Sequence, residues 1–278
     1  MLGLVFPGQG VQRAGMGAGL FERFAGITAE ADEILGWSVP DLCASGDTTR
    51  LTDTTYAQPA IFLVNALGAL ARTEDGAPAG EVCAGHSLGE FNALVAAGIL
   101  GLLDGLRLVR DRALAMAKVR GGGMIAVSGL PGERVEQILR GSGLGQVHVA
   151  NRNSDRQTTV SGDTAQLGLA SRVLKRGGAT QVVPLRVSGP FHSPLMAPAR
   201  VAFARTLQGV RFTPGTVPVV SSVTGDLFRP EEAAQVLTRQ LVTPVEWVCV
   251  VRRMRELGVT TFEEVGGTVL TGMIKAVR

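Results

Sequence analysis

Residues 85–89 read Gly-His-Ser-Leu-Gly and directly follow the short apolar run at 82–84. This is the spacing of a nucleophile elbow, in which a sharp turn between a strand and a helix exposes a serine hydroxyl. Glycines on both sides favour such a turn, because a Cβ at either position would obstruct it. Ser87 is therefore the candidate nucleophile, and a turn without chemistry is the alternative that the motif alone leaves open.

A serine becomes an effective nucleophile when a base accepts its proton, and the chain contains three histidines, His86, His148 and His192. His86 adjoins Ser87, and neighbouring side chains on a tight turn diverge, which favours a structural role. His148 alternates with apolar residues, as an ordinary sheet residue does. His192 lies in a loop between two predicted segments, where loops often line clefts. We predict that His192 is the base, with a helix-capping loop histidine as the alternative.

Arg112 lies on a predicted helix whose apolar stripe includes Leu108, Val109, Ala115 and Met116. A guanidinium in such a stripe is costly unless an anion pairs with it, and its planar fork matches a carboxylate. The sequence therefore predicts a carboxylate-binding arginine. Two alternatives remain: the head group reaches water along the stripe, or it pairs with an acidic residue of the protein.

The elements that must position these residues form two patterns. Residues 1–123 predict a strand at 2–6, helices at 16–35 and 58–72, a strand at 81–85 and a helix at 88–97. This order suits an α/β sheet with covered faces. From residue 124 the order changes to β-α-β-β-α-β, which is typical of a ferredoxin-like fold. Its strands are expected at 124–127, 147–150, 158–161 and 181–187, and its helices at 132–140 and 164–175.

After residue 187 the pattern returns to that of the first domain. Helices are expected at 194–207, 246–257 and 269–277, with strands at 217–220 and 260–265. The sequence thus predicts an α/β fold with a large domain of residues 1–123 and 188–278 and a ferredoxin-like subdomain inserted at 124–187.

Composition narrows the class of protein. With 278 residues and 45% apolar content, the chain is long enough for a large core. The apolar run 91–103 is too short to span a bilayer, and the apolar start reaches Pro7 without the basic region of a signal peptide.

Cys43, Cys83 and Cys249 have no paired spacing, which argues against disulfides and zinc. A net charge of +3 without basic and aromatic clusters argues against nucleic-acid binding. We expect a soluble, cytoplasmic monomer.

Seven sequence features follow one another along the chain. They are Phe-Pro-Gly-Gln-Gly at 6–10, Gly-His-Ser-Leu-Gly-Glu at 85–90, Arg112, Asn-Arg-Asn-Ser at 151–154, Phe-His-Ser at 191–193, Pro-Val-Glu-Trp at 244–247 and Glu-Val-Gly-Gly-Thr-Val-Leu-Thr-Gly at 264–272. In these features and their order the chain resembles malonyl-CoA:acyl-carrier-protein transacylases over essentially its whole length. The resemblance implies an α/β-hydrolase-like large domain with a ferredoxin-like insertion.

The resemblance also implies roles for individual residues. Ser87 would be acylated, and His192 would act as general base and later as acid, oriented by a backbone carbonyl at the position that matches Gln240. The backbone N–H groups of Gln9 and Leu88 would form the oxyanion hole.

The remaining implied residues bind the acyl group. Arg112 would hold the free malonyl carboxylate, and Met116 and Phe191 would wall the pocket, with Gln58 and Asn153 as neighbours. The implied reaction is ping-pong: the serine takes malonyl from coenzyme A and passes it to the phosphopantetheine thiol of an acyl carrier protein. It needs no metal and no cofactor, since coenzyme A enters as the substrate thioester and the partner carries the phosphopantetheine.

Phe191 and Leu88 resemble the corresponding residues of malonyl-selective members. The chain is shorter than typical fatty-acid members, which favours a discrete acyltransferase that serves a modular polyketide synthase in trans. The alternatives are an acyl-thioester hydrolase, the malonyl-transferring subunit of a malonate decarboxylase, or a docking protein without activity. Arg112 argues against the hydrolase, because the substrates of related editing hydrolases have no free carboxylate.

Overall fold

The computed structural model describes residues 1–278. It contains eight strands and thirteen α-helices, with short 3-10 turns at Pro194–Met196 and Pro230–Glu232. In chain order they are β1 (Leu2–Phe6), α1 (Leu20–Arg23), α2 (Ala25–Leu35), α3 (Val39–Ser45), α4 (Thr48–Thr52), α5 (Thr54–Glu74), β2 (Val82–Gly85), α6 (Gly89–Ala96), α7 (Leu102–Ala117), β3 (Gly122–Ser128), α8 (Gly132–Gly141), β4 (Val147–Ser154), β5 (Gln157–Asp163), α9 (Thr164–Arg176), β6 (Gln181–Pro184), α10 (Ala197–Thr206), β7 (Val219–Val220), α11 (Ala233–Gln240), α12 (Trp247–Glu256), β8 (Thr261–Glu264) and α13 (Val269–Lys275).

The large domain is built on a parallel sheet in the order β7-β2-β1-β8. Successive strand residues point to opposite faces, so each strand contributes to two cores. Leu4 and Phe6 pack with α5, α6, α7 and α10 on one face. Val5 and Ala84 pack with α12 and α13 on the other. Coverage of both faces explains why the central strands are apolar throughout.

The second sheet is antiparallel, in the order β4-β5-β3-β6. Its β-α-β-β-α-β connection makes it ferredoxin-like. Ile125 and Val127 pack under α8 and α9, whereas Met124 and Ala150 belong to the core of the large domain. The predicted fold class is therefore confirmed, and the residue limits of the two domains stay a prediction. No helix has the length and apolar character needed to cross a membrane.

Several predicted elements differ in extent. The helix expected at 16–35 is two helices, because Gly15, Gly17 and Gly19 adopt positive φ and form turns up to Leu20, and because the chain breaks again at Phe24. The strand expected at 181–187 ends at Pro184. The sequence pattern did not reveal α3, α4 and α11, which have only five to eight residues, too few for a clear helical period.

Candidate active site

Ser87 lies on the sharp turn between β2 and α6, with φ 53°. Gly85 and Gly89 permit this turn: a Cβ on Gly85 would overlap the backbone of Gly89, and one on Gly89 would overlap the carbonyl oxygen of Phe6. The other non-glycine residue with positive φ is His192, at 57°. Each such residue costs about 1–2 kcal/mol of backbone strain. The structure thus concentrates its backbone strain on one serine and one histidine.

These two residues are hydrogen-bonded to each other. Ser87 Oγ lies 2.7 Å from His192 Nε2, and His192 Nδ1 lies 2.8 Å from the main-chain oxygen of Gln240. Because a carbonyl only accepts, Nδ1 carries the proton and Nε2 is free to accept the serine proton. A backbone carbonyl at the end of α11 therefore occupies the position that an aspartate has in many serine enzymes.

The environment keeps His192 neutral. Burial lowers the pKa of His192 to about 3, and the positive charge of Arg112 adds to this effect, while the hydrogen bond to Gln240 opposes it. A neutral imidazole is the form that accepts a proton. The Ser87–His192 pair is consequently poised for general-base activation of the serine.

Two main-chain donors lie beside the elbow. The backbone N–H groups of Gln9 and Leu88 donate to no protein acceptor. The loop that follows β1 packs closely on the elbow. A Cβ on Gly8 in this loop would lie 2.6 Å from His86 O and 3.5 Å from Leu88 N. Free N–H groups near a nucleophile are suited to stabilise a developing oxyanion.

Arg112 extends from α7 into the same site and is 1% exposed. Its Nη1 donates to Gln58 Oε1 at 2.5 Å, and its Nη2 donates to Ser87 Oγ at 3.1 Å and to Gln240 Oε1 at 2.9 Å. All these acceptors are uncharged, and its buried Nε has no partner. Burial lowers the pKa of Arg112 to about 10, and the charge of Glu90 opposes that shift.

The environment of Arg112 contradicts both alternatives that the sequence left open. The head group does not reach water, and it forms no ion pair with an acidic residue of the protein. A buried cation with a free donor, next to the nucleophile, is instead arranged to bind an anion that enters the site.

The site opens into a cavity of about 220 Å³ between the two sheets. Every residue predicted for the site lines it except Gln240, which adjoins it through His192 and Arg112. The full lining is Gln9, Gln58, His86, Ser87, Leu88, Arg112, Met116, Met124, Ala126, Asn151, Asn153, Gln157, Thr159, Leu185, Val187, Phe191, His192 and Met273. The large domain thus supplies the reactive groups, and the antiparallel sheet supplies the facing wall.

The chain matches the family model of the acyl transferase domain over residues 4–274. It belongs to the acyl transferase family. This assignment agrees with the geometry of the site, in which Ser87 is hydrogen-bonded to His192 and lines a cavity of about 220 Å³.

Two curated relatives are similar to this acyltransferase along its whole length. The malonyl CoA-acyl carrier protein transacylase PksC of Bacillus subtilis is 40% identical over 100% of this chain and 97% of its own. The polyketide biosynthesis protein ThaF of Burkholderia thailandensis is 42% identical over 100% of this chain. This chain spans only 24% of the length of ThaF, so that longer protein has further parts that the comparison does not cover.

A solved structure shows the same architecture in a complex. PlMCAT, bound to the holo form of the type II polyketide-synthase acyl-carrier protein AntF, superimposes on this acyltransferase with a TM-score of 0.94 and 35% identity, covering 99% of this chain and 92% of the other. In that structure the carrier protein is in complex with its malonyl-transacylase.

Sequence reasoning missed part of the site of this acyltransferase. His86 Nε2 lies 2.9 Å from Asn153 Oδ1 and 3.3 Å from Asn151 Nδ2, and so links the elbow to β4. Glu90 is fully buried beside Gln240. The sequence did contain a signal for the burial of Glu90, because this carboxylate lies among apolar residues at the start of α6. His148 lies outside the Ser87 cavity.

Proposed function

We propose that this acyltransferase moves a malonyl group from malonyl-CoA to the phosphopantetheine thiol of an acyl carrier protein. The observation that carries the proposal is Arg112: a buried guanidinium without an anionic contact, 3.1 Å from the Ser87 hydroxyl. An acyl group that ends in a carboxylate, joined to Ser87, would supply the missing anion. A neutral acyl group would leave the charge without one.

In the first half-reaction, His192 Nε2 takes the Ser87 proton as Oγ attacks the thioester carbonyl. The N–H groups of Gln9 and Leu88 bind the oxyanion of the tetrahedral intermediate. The carbon–sulfur bond then breaks, and the coenzyme A thiol leaves with the proton that His192 held. Arg112 binds the malonyl carboxylate, while Met116 and Phe191 enclose the short acyl chain.

In the second half-reaction, the carrier thiol gives its proton to His192 and attacks the malonyl ester. The tetrahedral intermediate collapses, and Ser87 leaves with the proton returned by His192. The sequence of events is ping-pong, since coenzyme A departs before the carrier reacts. The chemistry uses only these side chains, the malonyl-CoA thioester and the carrier thiol, without a further cofactor.

The proposal extends to partner and setting. The PlMCAT complex supports an acyl carrier protein as acceptor, and the similarity to PksC and ThaF supports a polyketide pathway. Three free cysteines suit a reducing compartment, so we place the enzyme in the cytoplasm. We also propose that it acts as a monomer.

The decisive experiment is intact-protein mass spectrometry after brief exposure to malonyl-CoA, with wild type beside Ser87→Ala. A malonyl increment only on wild type, which then passes to a holo carrier protein, is the expected result. Release of free malonate at the rate at which the increment disappears, with none on the carrier, would make the protein a hydrolase. No increment and no turnover would contradict the proposed reaction.

A further inference from the structure

A buried carboxylate next to the active site has no role in the reaction described above. Glu90, the second residue of α6, is 0% exposed. Its Oε1 accepts from Ser222 N at 3.0 Å, and its Oε2 accepts from Ser222 Oγ at 2.9 Å and from Gln240 Nε2. Burial raises the pKa of Glu90, and the hydrogen bonds it accepts oppose that rise.

Gln240 connects this carboxylate to the reactive groups. Its side-chain Nε2 donates to Glu90 and, at 3.1 Å, to the carbonyl of Ser87. Its side-chain Oε1 accepts from Arg112 Nη2 at 2.9 Å. An amide can turn end over end with little change in shape, so its partners decide which end faces Arg112. Because the Glu90 carboxylate and the Ser87 carbonyl both accept, the NH2 end faces these two groups and the oxygen faces Arg112.

Replacing the carboxylate by an amide of equal size removes the stronger of these two acceptors, the charged one. A glutamine at position 90 offers one oxygen and one NH2 group. If the NH2 takes the place of Oε1, it faces the main-chain N–H of Ser222, which cannot turn away. If it takes the place of Oε2, it faces the NH2 of Gln240. Rotation of the Gln240 amide relieves this conflict, at the cost of its hydrogen bond to the Ser87 carbonyl. It presents a donor to Arg112 Nη2 and removes the acceptor of Arg112.

We propose that Glu90 is a positioning residue that selects for acyl groups with a free carboxylate: through the Gln240 amide, it holds Arg112 in the orientation that receives that carboxylate. The inference rests on the proposed function, because it assigns the binding of the malonyl carboxylate to Arg112. Glu90 also supplies the one acidic charge near this buried cation. The main-chain carbonyl of Gln240, which holds His192, does not depend on the orientation of the amide.

The test compares Glu90→Gln with wild type in single-turnover acylation of Ser87, with malonyl-CoA and acetyl-CoA as donors. The expected result is a fall of about tenfold in the malonyl-to-acetyl rate ratio, about 1.4 kcal/mol, because the acetyl group does not use Arg112. Glu263→Gln is the matched control: Glu263 lies on β8, away from the cavity, and its carboxylate pairs with Arg72 of α5. Its ratio should equal that of wild type.

A second comparison repeats the substitution in a background that relieves its conflict with Gln240. In a Gln240→Met background the donor–donor conflict is absent, and Arg112 has already lost the amide oxygen. Glu90→Gln should then leave the malonyl-to-acetyl ratio of the Gln240→Met protein unchanged. A further fall of the ratio would mean that Glu90 acts by another route and would overturn the inference.

The outcomes separate the inference from the proposed function. An unchanged ratio in folded Glu90→Gln, beside a wild type that loads malonyl, overturns the inference alone. A wild type that never loads malonyl on Ser87 overturns the proposed function and, with it, the role given to Glu90.

Discussion

At the scale of single residues, the site is defined by two unusual states. His192 is neutral because it is buried beside a cation, and Arg112 is charged although it is buried without an anion in contact. The guanidinium charge resists protonation of the imidazole. A malonyl carboxylate bound to Arg112 would offset this charge and so make it easier for His192 to take the serine proton.

The first prediction concerns the acyl group. Arg112→Ala should lower acylation by malonyl-CoA by about 10- to 100-fold, the loss of a charge-assisted hydrogen-bonded pair, and should reduce acylation by acetyl-CoA far less. Rapid-quench mass spectrometry of the acyl-enzyme measures both rates. Arg107→Ala is the control on the same helix, because Arg107 is half exposed and pairs with Asp104. Equal losses with both donors would refute a carboxylate-specific role.

The second prediction concerns pH. Because the pKa of His192 is lowered to about 3, the base stays deprotonated well below the ordinary histidine range. The kcat/KM for malonyl-CoA should therefore stay level from about pH 8 down to about pH 5.5, without the fall near pH 6.5 that an unperturbed histidine gives. In Arg112→Ala, measured with acetyl-CoA, the acid limb should move to higher pH. A wild-type midpoint near pH 6.5 would contradict this prediction.

At the scale of elements, the elbow depends on close approach of backbones. Gly85 and Gly89 bring β2, α6 and the end of β1 so near to one another that side chains cannot fit between them. This close packing also places the free N–H of Leu88 beside the loop that follows β1. The geometry of the oxyanion donors therefore follows from glycine positions two residues on either side of Ser87.

The third prediction tests that dependence. Gly89→Ala should lower stability by about 3 kcal/mol and reduce Ser87 acylation by at least about 100-fold, because the new Cβ overlaps the Phe6 carbonyl and displaces the elbow. Gly168→Ala is the control: Gly168 lies inside α9 with open space around it, and alanine there should raise stability by about 1 kcal/mol. Urea denaturation and single-turnover acylation measure both effects. A fully active Gly89→Ala would refute the proposed close approach.

The sequence predicted most of these elements, because periodicity and glycine-bearing turns are local signals. It also predicted the burial of Arg112 from one helical wheel. It did not predict the hydrogen bonds that join Arg112, Gln240 and Glu90. Glu90 and Gln240 are 150 positions apart, and Gln240 lies on a short helix that the pattern did not reveal. Such contacts depend on how the elements pack, and the spacing along the chain carries no trace of them.

At the scale of the whole molecule, the two domains are joined along β4. Arg152 N donates to Val245 O, and Val245 N donates to Ala150 O, both at 2.9 Å. The Arg152 side chain adds ion pairs to Glu246 of the large domain and to Glu136 of α8. Burial raises the pKa of Glu246, the charge of Arg152 opposes that rise, and the charge of Glu136 adds to it. Arg152 thus keeps two acidic side chains together at the domain junction.

The fourth prediction follows. Arg152→Ala should lower the free energy of unfolding by about 2 kcal/mol, because it leaves two partly buried carboxylates without their common cation. Arg140→Ala is the matched control: Arg140 approaches the same Glu136 at 3.8 Å, but its side chain is 75% exposed, so its loss should cost less than about 0.5 kcal/mol. Equal midpoints of urea denaturation for the two variants would contradict this role.

The division of the cavity between two sheets has a consequence for how such enzymes diversify. Ser87, His192, Gln240 and Arg112 all belong to the large domain, whereas much of the opposite wall comes from the inserted sheet. Changes in the inserted sheet can therefore reshape the space for the arriving thioester while bond making and breaking stay intact. Grafting the inserted sheet of a relative onto this large domain would replace the wall that faces Ser87 and keep both the serine chemistry and the large-domain residues that hold the acyl group.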